Sequence, residues 1–260
     1  MKFIILLTIS ILPVILLGMY VYKKDKNKEP SKLLTKLFIS GVLATILTVI
    51  LTLILGIFFP IILSDPTELN LINLIFHVFI GIAFIEELSK WIMTFLISYN
   101  DKNFDEIYDM IIYAVFVSLG FACFENILYV LDGGIITGLI RAFLSVPTHT
   151  CLGITMGYYL GLAKQSEIKN NQKLRNKNIT LSLLIPILLH GIFDYCLFTS
   201  KLIFVLLFFI FVIFMYIYSH KKIKLFTSIT TKLKYKNNYC PNCGHKVNSN
   251  YCTNCGNKNE

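Results

Sequence analysis

Long apolar runs divided by short polar ones set the pattern of this chain. Residues 3–22 are apolar and end at Lys23-Lys24, and further apolar runs follow at about 33–58, 71–98, 107–131, 135–163, 179–200 and 202–219. Each approaches or exceeds the roughly 20 residues a helix needs to cross a bilayer. Hydrocarbon offers no water to backbone groups, so runs of this kind are expected to be helical. The first run is long, starts with only Lys2 and lacks a small-x-small site after it, so it reads as a helix rather than a cleaved leader. The pattern predicts an all-α fold, a polytopic transmembrane helix bundle of about seven spans over residues 1–220. The very short connection between the last two runs leaves that boundary soft.

The connections differ in charge. Residues 23–36 hold six lysines, the 59–70 segment holds Asp65 and Glu68 with no basic residue, and the 164–178 loop holds five basic residues. The turn at Asp132-Gly133-Gly134 lacks lysine, the 99–106 loop is mixed, and the segment after Ser219 is lysine-rich again. Lysine-rich loops stay on the cytoplasmic side. The expectation is a multi-pass protein of the bacterial plasma membrane, its N-terminus outside and its C-terminal tail in the cytoplasm.

Composition agrees with this: the chain is 55% hydrophobic, 15% charged and has a mean hydropathy of +0.68. Its net charge of +9 sits mostly between apolar runs rather than on an amphipathic face. Topology-setting loops beside anionic lipid account for it, and no nucleic-acid partner is expected. Arg141 and Arg175 are the only arginines, and Arg141 falls inside an apolar run.

Past a basic linker at 221–238 the cysteines carry information. Tyr239-Cys240-Pro241-Asn242-Cys243-Gly244 is echoed by Tyr251-Cys252-Thr253-Asn254-Cys255-Gly256. Two CxxCG knuckles predict a zinc ribbon over 239–257, with Cys240, Cys243, Cys252 and Cys255 around a structural Zn²⁺. Disulfides are disfavoured in the reducing cytoplasm, and a segment this small takes its folding energy from the metal. Docking a cytoplasmic partner is one role it could serve. Cys123, Cys151 and Cys196 read as small buried hydrophobes.

The spans contain residues that lipid does not tolerate. Glu86, Glu87 and Lys90 interrupt the 71–98 run, where one ionisable side chain costs about 2.5–3.5 kcal/mol. On a helix the two carboxylates point roughly 100° apart, with Lys90 between them. Glu125-Asn126, then Arg141, Ser145 and His149, then His190 and Asp194 interrupt later runs. Arg141, Ser145 and His149 share one helix face, as do His190 and Asp194. Counting along the helices puts Glu86, Glu87, His149 and His190 within roughly 3 Å of the midplane, and Asp194 and Glu125 about 7–9 Å toward the outside. Four helices thus bring ionisable groups to similar depth, where they must face inward and toward each other. His77 lies on the opposite face from Glu86 and reads as an ordinary helix–helix hydrogen bond.

Glu86-Glu87-x-x-Lys90, Phe121-x-x-x-Glu125-Asn126, Pro147-x-His149 and His190-x-x-x-Asp194, in this order on successive spans, resemble the PrsW family of intramembrane proteases. That family is similar in motif plan to the CAAX prenyl endopeptidase and bacteriocin-immunity superfamily. The resemblance covers roughly residues 71–200 and leaves the first two spans and the tail outside it. It implies hydrolysis of a membrane-anchored protein, an anti-sigma factor of the envelope stress response being the best-known kind. It also implies functional positions at Glu86, Glu87, Lys90, Glu125, Asn126, His149, His190 and Asp194.

The residues fit that chemistry on their own terms. Amide hydrolysis needs a water, a base and groups that stabilise an oxyanion. Desolvation makes a carboxylate a better base, so Glu87 or Glu86 is the candidate, with His149, His190 and Asn126 as polarising groups. Asp194 would orient His190 or complete the network, and Arg141 is a candidate partner for a carboxylate. Histidines and glutamates also suit a catalytic Zn²⁺. No HExxH motif favours it, so a metal-free glutamate mechanism stands ahead. Two other classes remain: a proton-coupled transporter, whose polar groups would line a path across the membrane, and a non-catalytic receptor or scaffold signalling through its ribbon.

Overall fold

The computed structural model describes residues 2–199, 201–228 and 254–255. The ribbon and most of its cysteines lie outside the described residues. α1 (Lys2–Lys24) and α2 (Ser31–Phe58) are joined by a turn in which the Asn27 amide donates to Asp25 Oδ1. The 71–98 run is a continuous rod: α3 (Leu71–Phe76), a π-helical stretch (His77–Phe84) and α4 (Ile85–Ser98). α5 (Ile107–Phe143), α6 (Ser145–Ile168), α7 (Gln172–Phe198) and α8 (Leu202–Ser228) complete the bundle. Among the described residues, six stretches are long and apolar enough to cross a membrane.

One of these, Ile107–Ile168, has 62 residues and is a hairpin. At Gly134 the backbone takes φ 76°, ψ −163°, a conformation open to glycine, and the chain doubles back. Beyond it Gly138 packs on Val130, Gly153 on Ala114 and Val115, Gly157 on Met110 and Ile111, and Gly161 on Ile107. The two arms are antiparallel and in tight register, so the described residues hold the seven crossings the apolar runs predict. The returning arm is broken at Leu144, although the sequence reading takes the run 135–163 as one unbroken span. Pro147 lacks the amide that would bond the Phe143 carbonyl, and the Tyr216 hydroxyl of α8 donates to that carbonyl instead.

The outgoing arm of α5 is the core, with Met110 to Val115 fully buried. α2 lies against it at backbone contact: a Cβ on Gly41 would sit 2.0 Å from the Val117 carbonyl oxygen, and one on Gly120 2.0 Å from that of Phe38. The outer faces stay apolar and open, as at Ile72 (80% exposed) and Leu96 (76%), which suits lipid rather than water.

The lysine-rich ends gather at one end of the bundle. Asn27 Nδ2 donates to Glu106 Oε1 at 2.6 Å, Lys164 Nζ to Asn100 Oδ1 at 2.9 Å, and Tyr20 Oη lies 3.1 Å from His220 Nδ1. The 99–106 loop, silent by charge, belongs to this end. Two boundaries differ from the sequence reading. The 164–178 loop is largely helical, with α6 reaching Ile168 and α7 starting at Gln172, because no proline or glycine interrupts it. α8 likewise continues to Ser228, into the segment read as a linker.

Candidate active site

The site forms where α4, α5, α6 and α7 meet. α4 follows the π-helical stretch, and such turns are frequent at functional sites. From its first two turns Glu87 and Lys90 point into the bundle and are fully buried. Lys90 Nζ lies 2.5 Å from Glu87 Oε1, 3.6 Å from Glu86 Oε2 and 3.3 Å from His149 Nδ1, and it sits over the Phe121 ring. It bridges both carboxylates, as its spacing predicts, and favours Glu87.

Glu87 Oε1 also accepts from His190 Nδ1 at 2.9 Å. That contact turns His190 Nε2 toward Asp194 Oδ2 at 3.4 Å and Glu86 Oε2 at 3.9 Å. On the other side Lys90 faces His149 Nδ1, which leaves the ring proton on Nε2, where it donates to Glu125 Oε2 at 2.9 Å. Arg141 Nη2 lies 3.0 Å from the same oxygen, while its guanidinium stacks on Tyr129. The result is two imidazole–carboxylate pairs on either side of one lysine.

The pairs border a cavity of about 210 Å³ lined by Glu86, Glu125, Arg141, Ser145, Thr148, His149, His190 and Asp194. Ile82, Ile140, Leu144, Phe193, Leu197 and Phe208 supply apolar wall. Glu86 Oε2 is buried against it without a hydrogen-bond partner. Asn126 stands elsewhere: its Nδ2 donates to the Ser10 carbonyl and its Oδ1 accepts from Arg141 Nε, so it holds the arginine from behind. His77 bonds the Ile61 carbonyl at 2.9 Å, away from the cluster. Asp194 and Glu125, placed farther out by counting residues, join the cluster because their side chains reach inward. Glu86, Glu125, His149, His190 and Asp194 therefore share one cavity, with Glu87 and Lys90 bonded to the histidines that line it, instead of lining a path across the bundle.

The comparisons with known proteins follow the same residues. The sequence profile described as "PrsW family intramembrane metalloprotease" matches residues 29–218. The chain belongs to the PrsW family of intramembrane proteases. The match extends beyond 71–200 to take in α2 and part of α8. Protease PrsW of Oceanobacillus iheyensis is 38% identical over 192 residues, which is 74% of this chain and 82% of that protein. Protease PrsW of Bacillus subtilis is 44% identical over 119 residues, 46% of this chain and 53% of that one. Protease PrsW of Clostridioides difficile is 32% identical over 169 residues, covering 64% and 70%. No solved structure matches. This PrsW-family chain is a multi-pass membrane protein and a membrane endopeptidase.

The family description includes a metal, and a bound ion needs several lone-pair donors directed at one point. Among the described residues, no three His, Cys, Asp or Glu side chains are arranged to hold one. The donor types suit zinc, but the Nε2 proton of His149 is directed at Glu125, and the Lys90 ammonium occupies the space between the carboxylates. The arrangement as it stands does not fit a bound ion.

Proposed function

We infer that this protease cleaves a membrane-anchored protein by activating water with Glu86. The observation that carries the reading is Glu86, which lines a largely apolar cavity and whose buried Oε2 makes no hydrogen bond, its nearest charged neighbours being Lys90 at 3.6 Å and His190 at 3.9 Å. A cavity of about 210 Å³ is far larger than the ~10–15 Å³ a water requires. Glu87 has a different part. Its Oε1 is taken up by Lys90 and His190, and although its Oε2 is also buried without a hydrogen bond, Glu87 does not line the cavity, so it orients the imidazole.

In the proposed reaction Glu86 takes a proton from water as the water oxygen attacks the scissile carbonyl. A tetrahedral oxyanion forms, and the protonated Glu86 returns its proton to the leaving amide nitrogen as the C–N bond breaks. His190, held by Glu87 and Asp194, and His149, held by Lys90 and Glu125, border the developing charge with fixed dipoles. No step here passes through a metal.

The substrate class proposed is a single-span protein, an anti-sigma factor being the kind the family resemblance implies. The charge of the loops supports a bacterial plasma-membrane location with the lysine-rich end in the cytoplasm. The test uses the full-length protein reconstituted with membranes of a strain lacking it, with new protein N-termini read by mass spectrometry. Wild type should create new termini in single-span proteins, and Glu86→Gln should create none. Identical termini from both would remove Glu86 from the mechanism.

A further inference from the structure

Threonines in a helix commonly return their hydroxyl to the carbonyl four residues back. On α6, Thr150 does so to Val146 at 3.1 Å and Thr155 to Cys151 at 2.9 Å. Thr94 and Thr199 do the same on neighbouring elements. Thr148 is different. Its own amide reaches the Leu144 carbonyl at 3.1 Å, yet its Oγ1 bonds nothing, although the residue is only 2% exposed. Thr48 and Ser118 also leave buried hydroxyls unbonded, but neither lines the cavity, whereas Thr148 does, and a buried hydroxyl without a partner calls for an explanation.

The hydroxyl lies close to the helix break. Leu144, at φ −113° and ψ −63°, interrupts the helix four residues before Thr148. Thr148, Glu86 and Arg141 line the same cavity, and each brings a buried polar atom without a hydrogen bond, but Arg141 Nη2 is already paired in charge with Glu125 Oε2 at 3.0 Å, which leaves Thr148 and Glu86. One is a carboxylate oxygen, which accepts. The other is a hydroxyl, which donates. Hydrolysis of an amide requires that pair: an acceptor for the proton of water and a donor for the carbonyl oxygen as it gains charge.

We propose that Thr148 is a catalytic residue that donates its hydroxyl hydrogen to the scissile carbonyl oxygen and keeps that bond as the oxyanion forms. The hydroxyl gives no proton away, so the proton balance between water, Glu86 and the leaving nitrogen is unchanged. The inference rests on the reading of Glu86 as base, and it also assigns a direction to the substrate. The scissile carbonyl oxygen points at α6 and the attacking water at α4.

The test is kinetic, on the single-span protein that the reconstituted wild-type protease cleaves fastest. Thr148→Val keeps shape but lacks the hydroxyl, and kcat should fall about 10²–10³-fold. KM should change by less than about threefold, since the bond strengthens only in the transition state. Thr148→Ser, which restores the donor, should stay within about tenfold of wild type, and Thr150→Val, which removes a back-bonded hydroxyl, should be unaffected. If Thr148→Val does not accumulate, Thr148→Ala takes its place. Full kcat for Thr148→Val or Thr148→Ala overturns the proposal, as does a serine variant no better than valine. If Glu86→Gln is dead while Thr148→Val is fully active, the Glu86 reading stands and this inference falls. If Glu86→Gln cleaves at the wild-type rate, or wild type cleaves nothing, both fall.

Discussion

Replacing each of the adjacent glutamates by glutamine separates folding from chemistry at this site. Glu87 Oε1 holds Lys90 Nζ at 2.5 Å and His190 Nδ1 at 2.9 Å, with no exposure of either Glu87 or Lys90. Glutamine there leaves a buried ammonium whose remaining anion, Glu86, is 3.6 Å away. Removing one partner of a buried pair costs about 3–5 kcal/mol. The amide oxygen still accepts one bond, which recovers about 1 kcal/mol. The expected loss for Glu87→Gln is therefore about 2–4 kcal/mol. Glu86 Oε2 makes no hydrogen bond, and its nearest charged contacts are at 3.6 and 3.9 Å, so Glu86→Gln should cost about 1 kcal/mol or less. Cleavage should show the reverse order. Glu86→Gln should lose at least about 10²–10⁴-fold as a missing base, while the folded fraction of Glu87→Gln retains part of its activity. Unfolding in mild detergent, with cleavage per folded molecule measured below both transitions, reads the two effects separately. A Glu86→Gln protein less stable than Glu87→Gln, or one that cleaves while Glu87→Gln is inert, would refute these roles.

Further outcomes can be measured independently. Glu29, in the turn between α1 and α2, accepts from the Tyr113 hydroxyl and faces Asp25, Asp101 and Asp105; burial pushes its pKa up to about 7. The folded state then keeps a proton that the unfolded chain has released, so stability should fall as pH rises from the ordinary value of 4.5 to about 7 and level off above. Melting curves for Glu29→Gln should lack that component, and a slope equal to wild type would contradict it. Zinc content should fall by one ion per chain in a Cys240→Ser, Cys243→Ser variant and stay unchanged in Glu86→Gln; the opposite pattern would move the metal to the membrane site. A reporter fused after Glu260 should read as cytoplasmic and one in the 59–70 segment as external, and exchange of the two signals would invert the topology. Gly120→Val should destabilise by about 1–3 kcal/mol or more, because its Cβ would strike the Phe38 backbone, and an unchanged melting temperature would deny that contact.

Much of this was legible in the chain because a bilayer leaves few alternatives. Apolar runs had to be helices, and Glu86, Glu87, Lys90, Glu125, His149, His190 and Asp194 had to face inward together. Spacing alone did not divide the labour between Glu86 and Glu87, since helical phase gives a direction and not a neighbour. That His190 turns Nδ1 to Glu87 depends on how α7 docks. Asn126 looked equivalent to Glu125 by adjacency, yet one residue rotates the side chain to Ser10 and Arg141. The break at Leu144 had a signal in Pro147, which removes a helical amide. Thr148 lay between the motif's proline and histidine without attracting notice, because an unused hydroxyl is visible only once its neighbours are known. The ribbon assignment still rests on its cysteine spacing.

The glycine ladder of the hairpin also determines where this sequence can change in length. Gly153, Gly157 and Gly161 recur every four residues, each against one short segment of the opposite arm. One residue added to either arm rotates everything beyond it by roughly 100° and brings larger side chains to positions where only glycine fits. The same slip would separate Glu125 from His149, which are contributed by opposite arms. Length variation is therefore confined to the turn at Gly133-Gly134, and natural or engineered insertions in this hairpin should collect at that point.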